Sequence, residues 1–83
     1  MVDLVIITLL DKDGTEIGDF ELPARMKVSE LSVKIEEALK AMNSDKYSEI
    51  SNLKLLYEDA PLSAKDTLYI KEIWDGSFLK LAY

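Results

Sequence analysis

The sequence lacks cysteine and histidine altogether, and it contains only 3 glycines and 2 prolines. Without cysteine, neither a disulfide framework nor a thiolate zinc site can form. Without histidine, the chain has neither the commonest general base nor the commonest transition-metal ligand. These absences favour a domain that binds over one that catalyses, and we expect no enzyme activity, no cofactor and no metal. The lack of cysteine also agrees with a cytoplasmic location.

Basic residues are the minority, because 10 Lys and Arg stand against 16 Asp and Glu and give a formal net charge of -6. Phosphate backbones and anionic lipids repel such a chain, so we expect neither nucleic-acid binding nor direct membrane insertion. The apolar run over residues 2–10 is too short to span a bilayer and has no basic flank. With 83 residues and 48% hydrophobic content, the chain can build one small core, and we expect a single domain over residues 1–83.

Two apolar segments around an Asp-Gly turn predict a β-hairpin. Residues 2–10 are rich in β-branched and aliphatic side chains, residues 15–22 return as a second strand, and Pro23 ends it. The turn over 11–14 also resembles the start of a calcium loop. Its glycine comes too early, however, and the twelfth position is Leu22 rather than a carboxylate, so a plain turn is predicted.

The pairing of the hairpin decides which apolar side chains face the core. A three-residue loop over 12–14 places Leu10 opposite Glu16, and further along it pairs Ile6 with Phe20 and Leu4 with Leu22. This register predicts an inward set of Leu4, Ile6, Phe20 and Leu22, and an outward set of Val5, Ile7, Leu9 and Ile17. A bulge in the hairpin reverses the assignment, so the facing of the first strand stays open.

One long amphipathic helix is predicted over residues 29–42, with Ser29 as its N-cap. Its apolar residues recur at the spacing of one helical face: Leu31, Ile35, Ala38, Leu39 and Met42. Glu36 and Lys40 form a favourable i,i+4 pair away from this stripe.

The remaining chain predicts further strands over 53–57 and 78–82, a turn over 58–61 and a short helical turn around Tyr47. Only one long helix is available, so it must pack on a sheet. The predicted class is α+β: a mixed sheet of four to five strands with one long helix across one face.

This order of elements resembles the ubiquitin-like β-grasp. In the last third of the chain, residues fall at ubiquitin's own spacing: Leu55-Leu56-Tyr57, Leu62, Asp66-Thr67-Leu68, Ile73, Ser77 to Leu79, and Leu81. The predicted core of this fold comprises Phe20, Leu22, Leu31, Ile35, Leu39, Leu55, Leu62, Leu68, Ile73, Leu79 and Leu81.

Further features are similar to one family of this fold. Leu22-Pro23-Ala24 precedes the helix, Ile73-Trp74-Asp75-Gly76 precedes the last strand, and Leu81-Ala82-Tyr83 closes the chain without a di-glycine tail. In these features the chain resembles YukD and EsaB, small ubiquitin-like proteins encoded with bacterial type VII (WXG-type) secretion systems. The resemblance implies a non-conjugated accessory or regulatory protein that acts by protein–protein binding, as a monomer or weak homodimer, and reaches the membrane only through a partner.

The helix-free face of the sheet is the candidate partner surface. Strand alternation separates Phe78 and Lys80 from the inward leucines beside them, and by resemblance Leu56 lies where ubiquitin has the centre of its binding patch. We therefore predict partner binding by Leu56 and Phe78, flanked by Lys54 and Lys80, to a cytosolic domain of a membrane-bound secretion complex. The only tryptophan, Trp74, is either a partner's anchor or a lid on the edge of the core.

Two other functions stay open. The chain can be a β-grasp interaction module of another pathway, one that pairs its acidic surface with a basic partner. A ubiquitin-like modifier is the third reading, and it requires a precursor that supplies a Gly-Gly end.

Overall fold

The computed structural model describes residues 3–83, and the first residue of the predicted first strand, Val2, lies outside them. The described elements, in chain order, are β1 (Leu4–Leu10), β2 (Glu16–Pro23), α1 (Val28–Met42), α2 (Ser44–Tyr47), β3 (Lys54–Tyr57), β4 (Ala60–Pro61) and β5 (Phe78–Ala82). The strands form one mixed sheet in the order β2-β1-β5-β3-β4. The central pair β1 and β5 is parallel and the other neighbours are antiparallel. With α1 across one face, the predicted α+β architecture is confirmed.

A bulge in the β1–β2 hairpin shifts the strand pairing by one residue. Leu10 lies opposite Glu16 as predicted, but Leu9 lies opposite Gly18 and leaves Ile17 as the extra residue. Gly18 has a φ of 153°, a backbone conformation that residues with a Cβ rarely adopt. A glycine at this point therefore allows the bulge.

The shift reverses the predicted facing of β1. Val5, Ile7 and Leu9 are fully buried, whereas Leu4 and Ile6 are 49% and 45% exposed. The register without a bulge is therefore wrong for Leu4 and Ile6 and for Val5, Ile7 and Leu9, and the bulged alternative that the sequence left open is the one observed.

The same shift replaces the predicted cross-strand pairs. Ile7 lies opposite Phe20 and Val5 lies opposite Leu22. Ile17, predicted to face outward, is partly buried and packs against the core.

The core lies between α1 and the sheet. Most of its predicted members are buried: Leu22, Leu31, Ile35, Leu39, Leu55, Leu62, Leu68, Ile73, Leu79 and Leu81. Phe20 is only partly buried, because it lies on β2 at the edge of the sheet. Among the described residues, the buried hydrophobic ones outside the predicted set are Val5, Ile7, Leu9, Ala24, Val28, Tyr47, Ile50 and Leu53.

The helix α1 ends at Met42 as predicted but begins before Ser29. Its N-cap is Lys27, with no side-chain cap, so the predicted capping role of Ser29 is wrong. Met42 is 59% exposed and does not extend the buried stripe. The predicted pair of Lys40 and Glu36 is present, with Nζ and Oε1 3.7 Å apart.

Backbone carbonyls replace a side-chain cap at the start of α1. The amide of Val28 donates to the carbonyl oxygen of Asp66 at 2.8 Å, and the amide of Ser29 donates to that of Ala64 at 3.2 Å. Two amides that the helix itself leaves without acceptors are thereby satisfied by a later loop.

The shorter elements complete the sheet. The predicted helical turn around Tyr47 is confirmed as α2. The predicted turn over 58–61 is shorter than expected, because only Glu58 and Asp59 form it, with φ values of 51° and 65°, and Ala60–Pro61 pairs with β3. Within residues 3–83, the structure has no helix with both the length and the apolar composition that a membrane crossing requires.

The facing of β1 gives a matched pair of stability tests. Ile7→Ala removes a fully buried side chain and should lower the free energy of unfolding by about 2–5 kcal/mol. Ile6→Ala, the same change one residue away on the exposed side, should cost less than ~1 kcal/mol. Urea unfolding of both variants measures the difference, and a larger loss for Ile6→Ala would contradict the register.

Candidate functional site

The sheet has one face free of α1, which we call the outer face. Along the central strands its residues alternate with fully buried ones. It consists of Leu4, Ile6, Thr8 and Leu10 on β1, Phe78, Lys80 and Ala82 on β5, and Lys54 and Leu56 on β3. All four predicted partner-binding residues therefore lie on this face.

Three of the four predicted residues line one open groove on the outer face. Leu56, Phe78 and Lys80 are gathered there, together with Leu10 from β1. Lys80 lies opposite Leu56 on one side and Leu10 on the other, so the groove runs across three strands. Lys54 is exposed beside the groove and lies opposite Ala82.

The two apolar members of the groove differ in burial. Phe78 is 54% exposed, whereas Leu56 is half-buried between its neighbours Lys80 and Pro61. Leu56 thus forms part of the floor of the groove, and Phe78 forms a projecting wall.

The structure adds two apolar residues to the outer face that the bulge-free register would have placed inward. Leu4 and Ile6 on β1 are about half exposed, and β1 lies directly beside the strand that carries Phe78. The signal that could have placed them is Gly18, because a bulge at this glycine moves β1 by one residue against β2.

Charges of opposite sign border this apolar centre. Lys54 and Lys80 lie on its β3–β5 side, and the carboxylates of Asp19 and Glu21 lie on its β2 side, opposite Thr8 and Ile6. The hydroxyl of Thr8 donates to Oδ1 of Asp19 at 2.8 Å, which holds that carboxylate on the outer face. A partner can therefore read the orientation of the face from its charges.

The Asp11 side chain forms a buried polar cluster at one end of the face. It is 2% exposed and accepts hydrogen bonds from the Tyr47 hydroxyl at 2.9 Å, the Tyr83 hydroxyl at 2.8 Å and the Lys12 amide at 2.7 Å. The Lys46 ammonium lies 2.9 Å from Oδ2. Within residues 3–83, Asp11 is the only buried charged side chain, and it is fully supplied with donors.

These donors shift the pKa values within the cluster. Burial by itself raises the pKa of Asp11, but the hydrogen bonds from Lys46, Tyr83, the Lys12 amide and Tyr47 outweigh it and hold that pKa far below its usual range. Burial and the hydrogen bond to Asp11 raise the pKa of Tyr83 to about 12, and the same two causes raise the pKa of Tyr47. The cluster is therefore an ionised carboxylate held by neutral tyrosines.

The cluster connects the ends of three elements: β1, α2 and β5. Asp11 directly follows β1, Tyr47 closes α2, and Tyr83 directly follows β5. Lys12 also lies over the Tyr83 ring, 4.5 Å from its centroid. Because β1 and β5 carry the outer face, their shared anchor fixes the end of the groove.

The segment before β5 is fastened to β1 in a similar way. Oδ1 of Asp75 accepts from the Ile6 amide at 2.8 Å, and the Gly76 amide donates to the Ile6 carbonyl at 3.0 Å. Trp74 is 40% exposed and forms a T-shaped contact with Tyr69, with ring centroids 5.8 Å apart. Trp74 thus belongs to an aromatic pair that is partly open to solvent.

The predicted turn over 11–14 is confirmed. The Gly14 amide donates to the Asp11 carbonyl at 2.8 Å, and the Thr15 amide donates to Oδ1 of Asp13 at 2.9 Å. Among the residues that the structure describes, no cluster of three potential metal-ligating side chains is present.

Comparisons with known proteins identify the fold. A chain of the MycP5-free ESX-5 inner membrane complex superimposes with a TM-score of 0.80 and 19% identity, and the match covers 98% of this chain and 21% of that one. The ubiquitin-like domain of the Mycobacterium tuberculosis type VII secretion system protein EccD1 gives a TM-score of 0.76 and 17% identity, covering 99% and 100%. The Caldiarchaeum subterraneum ubiquitin gives 0.67 and 20%, covering 94% and 90%.

These likenesses establish the ubiquitin-like β-grasp, which confirms the predicted fold. This chain spans about one fifth of the length of the ESX-5 chain that it matches. No protein-family model matches the chain, and no curated protein matches it. At such identities the similarity shows fold alone.

The Asp11 cluster predicts a specific dependence of stability on pH. Asp11→Asn should lower the free energy of unfolding at neutral pH by about 2–4 kcal/mol, because the charge that its donors surround is lost. Since the folded-state pKa of Asp11 is lowered, its contribution is complete above the unfolded pKa of about 3.9 and is lost as the pH falls toward the folded value. Urea unfolding from pH 7 to pH 2 should show the two proteins converging below about pH 4.

The exposed Asp45→Asn is the matched control and should change the free energy of unfolding by less than ~0.5 kcal/mol. A difference between wild type and Asp11→Asn that widens on acidification would contradict the assigned role of the cluster.

Proposed function

We propose that this protein is a YukD/EsaB-like accessory or regulatory protein of a bacterial type VII secretion system. It acts by protein–protein binding and not by catalysis. Its outer face docks on a cytosolic domain of a membrane-bound secretion complex, and any association with the membrane runs through that partner.

The observation that carries this proposal is the exposed apolar centre of the outer face. Leu4, Ile6 and Phe78 are each about half exposed on the neighbouring strands β1 and β5, beside the groove floored by Leu56. Monomeric domains of this size seldom expose large apolar side chains next to one another unless a partner covers them. An apolar centre bordered by charge is also the usual composition of a transient protein interface.

Type VII secretion is favoured over other pathways by two further facts. The ubiquitin-like domain of a type VII secretion system protein, EccD1, and a chain of the ESX-5 inner membrane complex are among the similar structures. Part of the sequence that resembles YukD and EsaB also stabilises this fold, because Asp75 and Gly76 form hydrogen bonds with the backbone of Ile6 on β1.

A charged double substitution on the outer face tests the proposal. Leu56→Asp with Phe78→Asp should lower recovery of the secretion membrane complex from the native host by at least about tenfold in a quantitative pull-down, because both carboxylates would be desolvated at the interface. Circular dichroism and thermal melting verify the fold. Since Leu56 is half-buried, Phe78→Asp alone provides a second variant at a 54% exposed position.

The control places the same charges on the other side of the molecule. Val33→Asp with Met42→Asp changes two residues of α1 that are 52% and 59% exposed, and it should leave recovery unchanged. Retention of the complex by a folded Phe78→Asp variant would show that this face is not the docking site. Recovery of proteins from an unrelated pathway would support the alternative of a general interaction module.

A further inference from the structure

The strand β2 forms an open edge of the sheet, on a different side of the molecule from the groove at Leu56. It is the terminal strand in the order β2-β1-β5-β3-β4, and its eight residues pair only with β1 among the strands of residues 3–83. An open edge presents unpaired amide and carbonyl groups. An extended peptide can hydrogen-bond to these groups and so add a strand to the sheet.

The hydrogen bonds of β1 show which groups of β2 are free. The backbone groups of Ile6 and Thr8 form their hydrogen bonds on the β5 side. The Ile6 amide donates to Asp75, the Ile6 carbonyl accepts from Gly76, and the Thr8 amide donates to the Ser77 carbonyl at 2.9 Å. In an antiparallel pair the bonding direction alternates from residue to residue. The residues between them on β1 therefore bond toward β2.

The same alternation continues on β2. Phe20 and Leu22 lie opposite Ile7 and Val5, whose backbone groups point toward β2. The amide and carbonyl groups of Phe20 and Leu22 are therefore hydrogen-bonded to β1. Asp19 and Glu21 direct their amide and carbonyl groups away from the sheet. The bulge at Gly18 and the missing amide of Pro23 limit the open edge to this short segment.

The two sides of this edge differ in chemistry. Between β2 and α1 lies a groove whose lining is partly apolar and partly charged. The apolar lining residues are Leu4, Phe20, Leu22, Pro23, Ile35 and Ala38, and the charged ones are Glu21, Lys34 and Glu37. On the outer side, the exposed carboxylates of Asp19 and Glu21 point from the edge. Strand alternation would place successive residues of an added peptide over the groove and beside the carboxylates in turn.

We propose that the edge of β2 binds an extended segment of a partner protein in which apolar and basic residues alternate. The apolar side chains cover Phe20 and fill the groove against α1. The lysine or arginine side chains pair with Asp19 and Glu21, and the backbone adds one strand to the sheet. Asp19 and Glu21 also border the outer face, but the free backbone edge of β2 and the groove against α1 lie outside that face, so the inference does not depend on the proposed function.

The charges argue against a second copy of this chain as the occupant. Two antiparallel β2 edges would bring the carboxylates of Asp19 and Glu21 close to their counterparts, and like charges in such positions are destabilising. The net charge of -6 on each copy adds to this repulsion. A basic segment would instead be attracted both by the two carboxylates and by the net negative charge.

The test uses a capped synthetic peptide that alternates valine and lysine, with the same residues arranged in two blocks as its control. NMR titration should show the alternating peptide binding at least about tenfold more tightly than the blocked one, because only alternation satisfies both sides of the edge. Hydrogen exchange should slow at the amides of Asp19 and Glu21 in the complex.

Charge reversal sharpens the test. The double variant Asp19→Lys, Glu21→Lys should no longer bind the valine–lysine peptide and should bind a peptide that alternates valine and glutamate more tightly. Glu58→Lys with Glu72→Lys changes the net charge equally, at exposed positions away from β2, and should keep the original preference.

Equal binding of both peptides, or protection confined to other amides, would overturn the proposal. So would concentration-dependent protection of Asp19 and Glu21 without peptide, since that would identify a second copy as the occupant.

Discussion

The bulge at Ile17 and Gly18 determines which side chains of the hairpin share the core. By moving β1 one residue along β2, it puts Ile7 opposite Phe20 and directs the alternate side chains of β1 against α1. Leu4 and Ile6 then remain on the outer face. A strand with apolar residues at successive positions can bury only one set, and the other set gives the outer face its apolar centre.

A second constraint holds the far end of the same strands. The buried carboxylate of Asp11 receives hydrogen bonds from Tyr47 and Tyr83 and an ion pair from Lys46. It therefore connects the ends of β1, α2 and β5, while Asp75 connects the start of β5 to Ile6. The two parallel strands that carry most of the outer face are thus fastened by a carboxylate at each end. Leaving a buried carboxylate without its donors is costly, so the position of the Asp11 side chain fixes where β1, α2 and β5 end relative to one another.

The sequence predicted the fold well because its signals were local or periodic. The helical stripe that includes Ile35, the Asp-Gly turn and the strand around Leu79 were correctly placed, and the outward position of Phe78 follows from simple alternation. The facing of β1 could not be settled, because both of its sides are apolar and only the bulge decides between them. The role of Asp11 could not be predicted for another reason: the two tyrosines that donate to it are 36 and 72 residues away in the chain, and no local sequence pattern indicates such distant contacts.

The central proposal is that a protein partner covers the outer face and leaves the exposed surface of α1 around Val33 free. Methyl cross-saturation NMR on the complex recovered from the native host measures this directly. The account predicts attenuated methyl signals for Ile6 and Leu56 and unchanged signals for the exposed Val33 of α1 and the buried Leu55. Attenuation at Val33 with unchanged signals at Ile6 and Leu56 would contradict it.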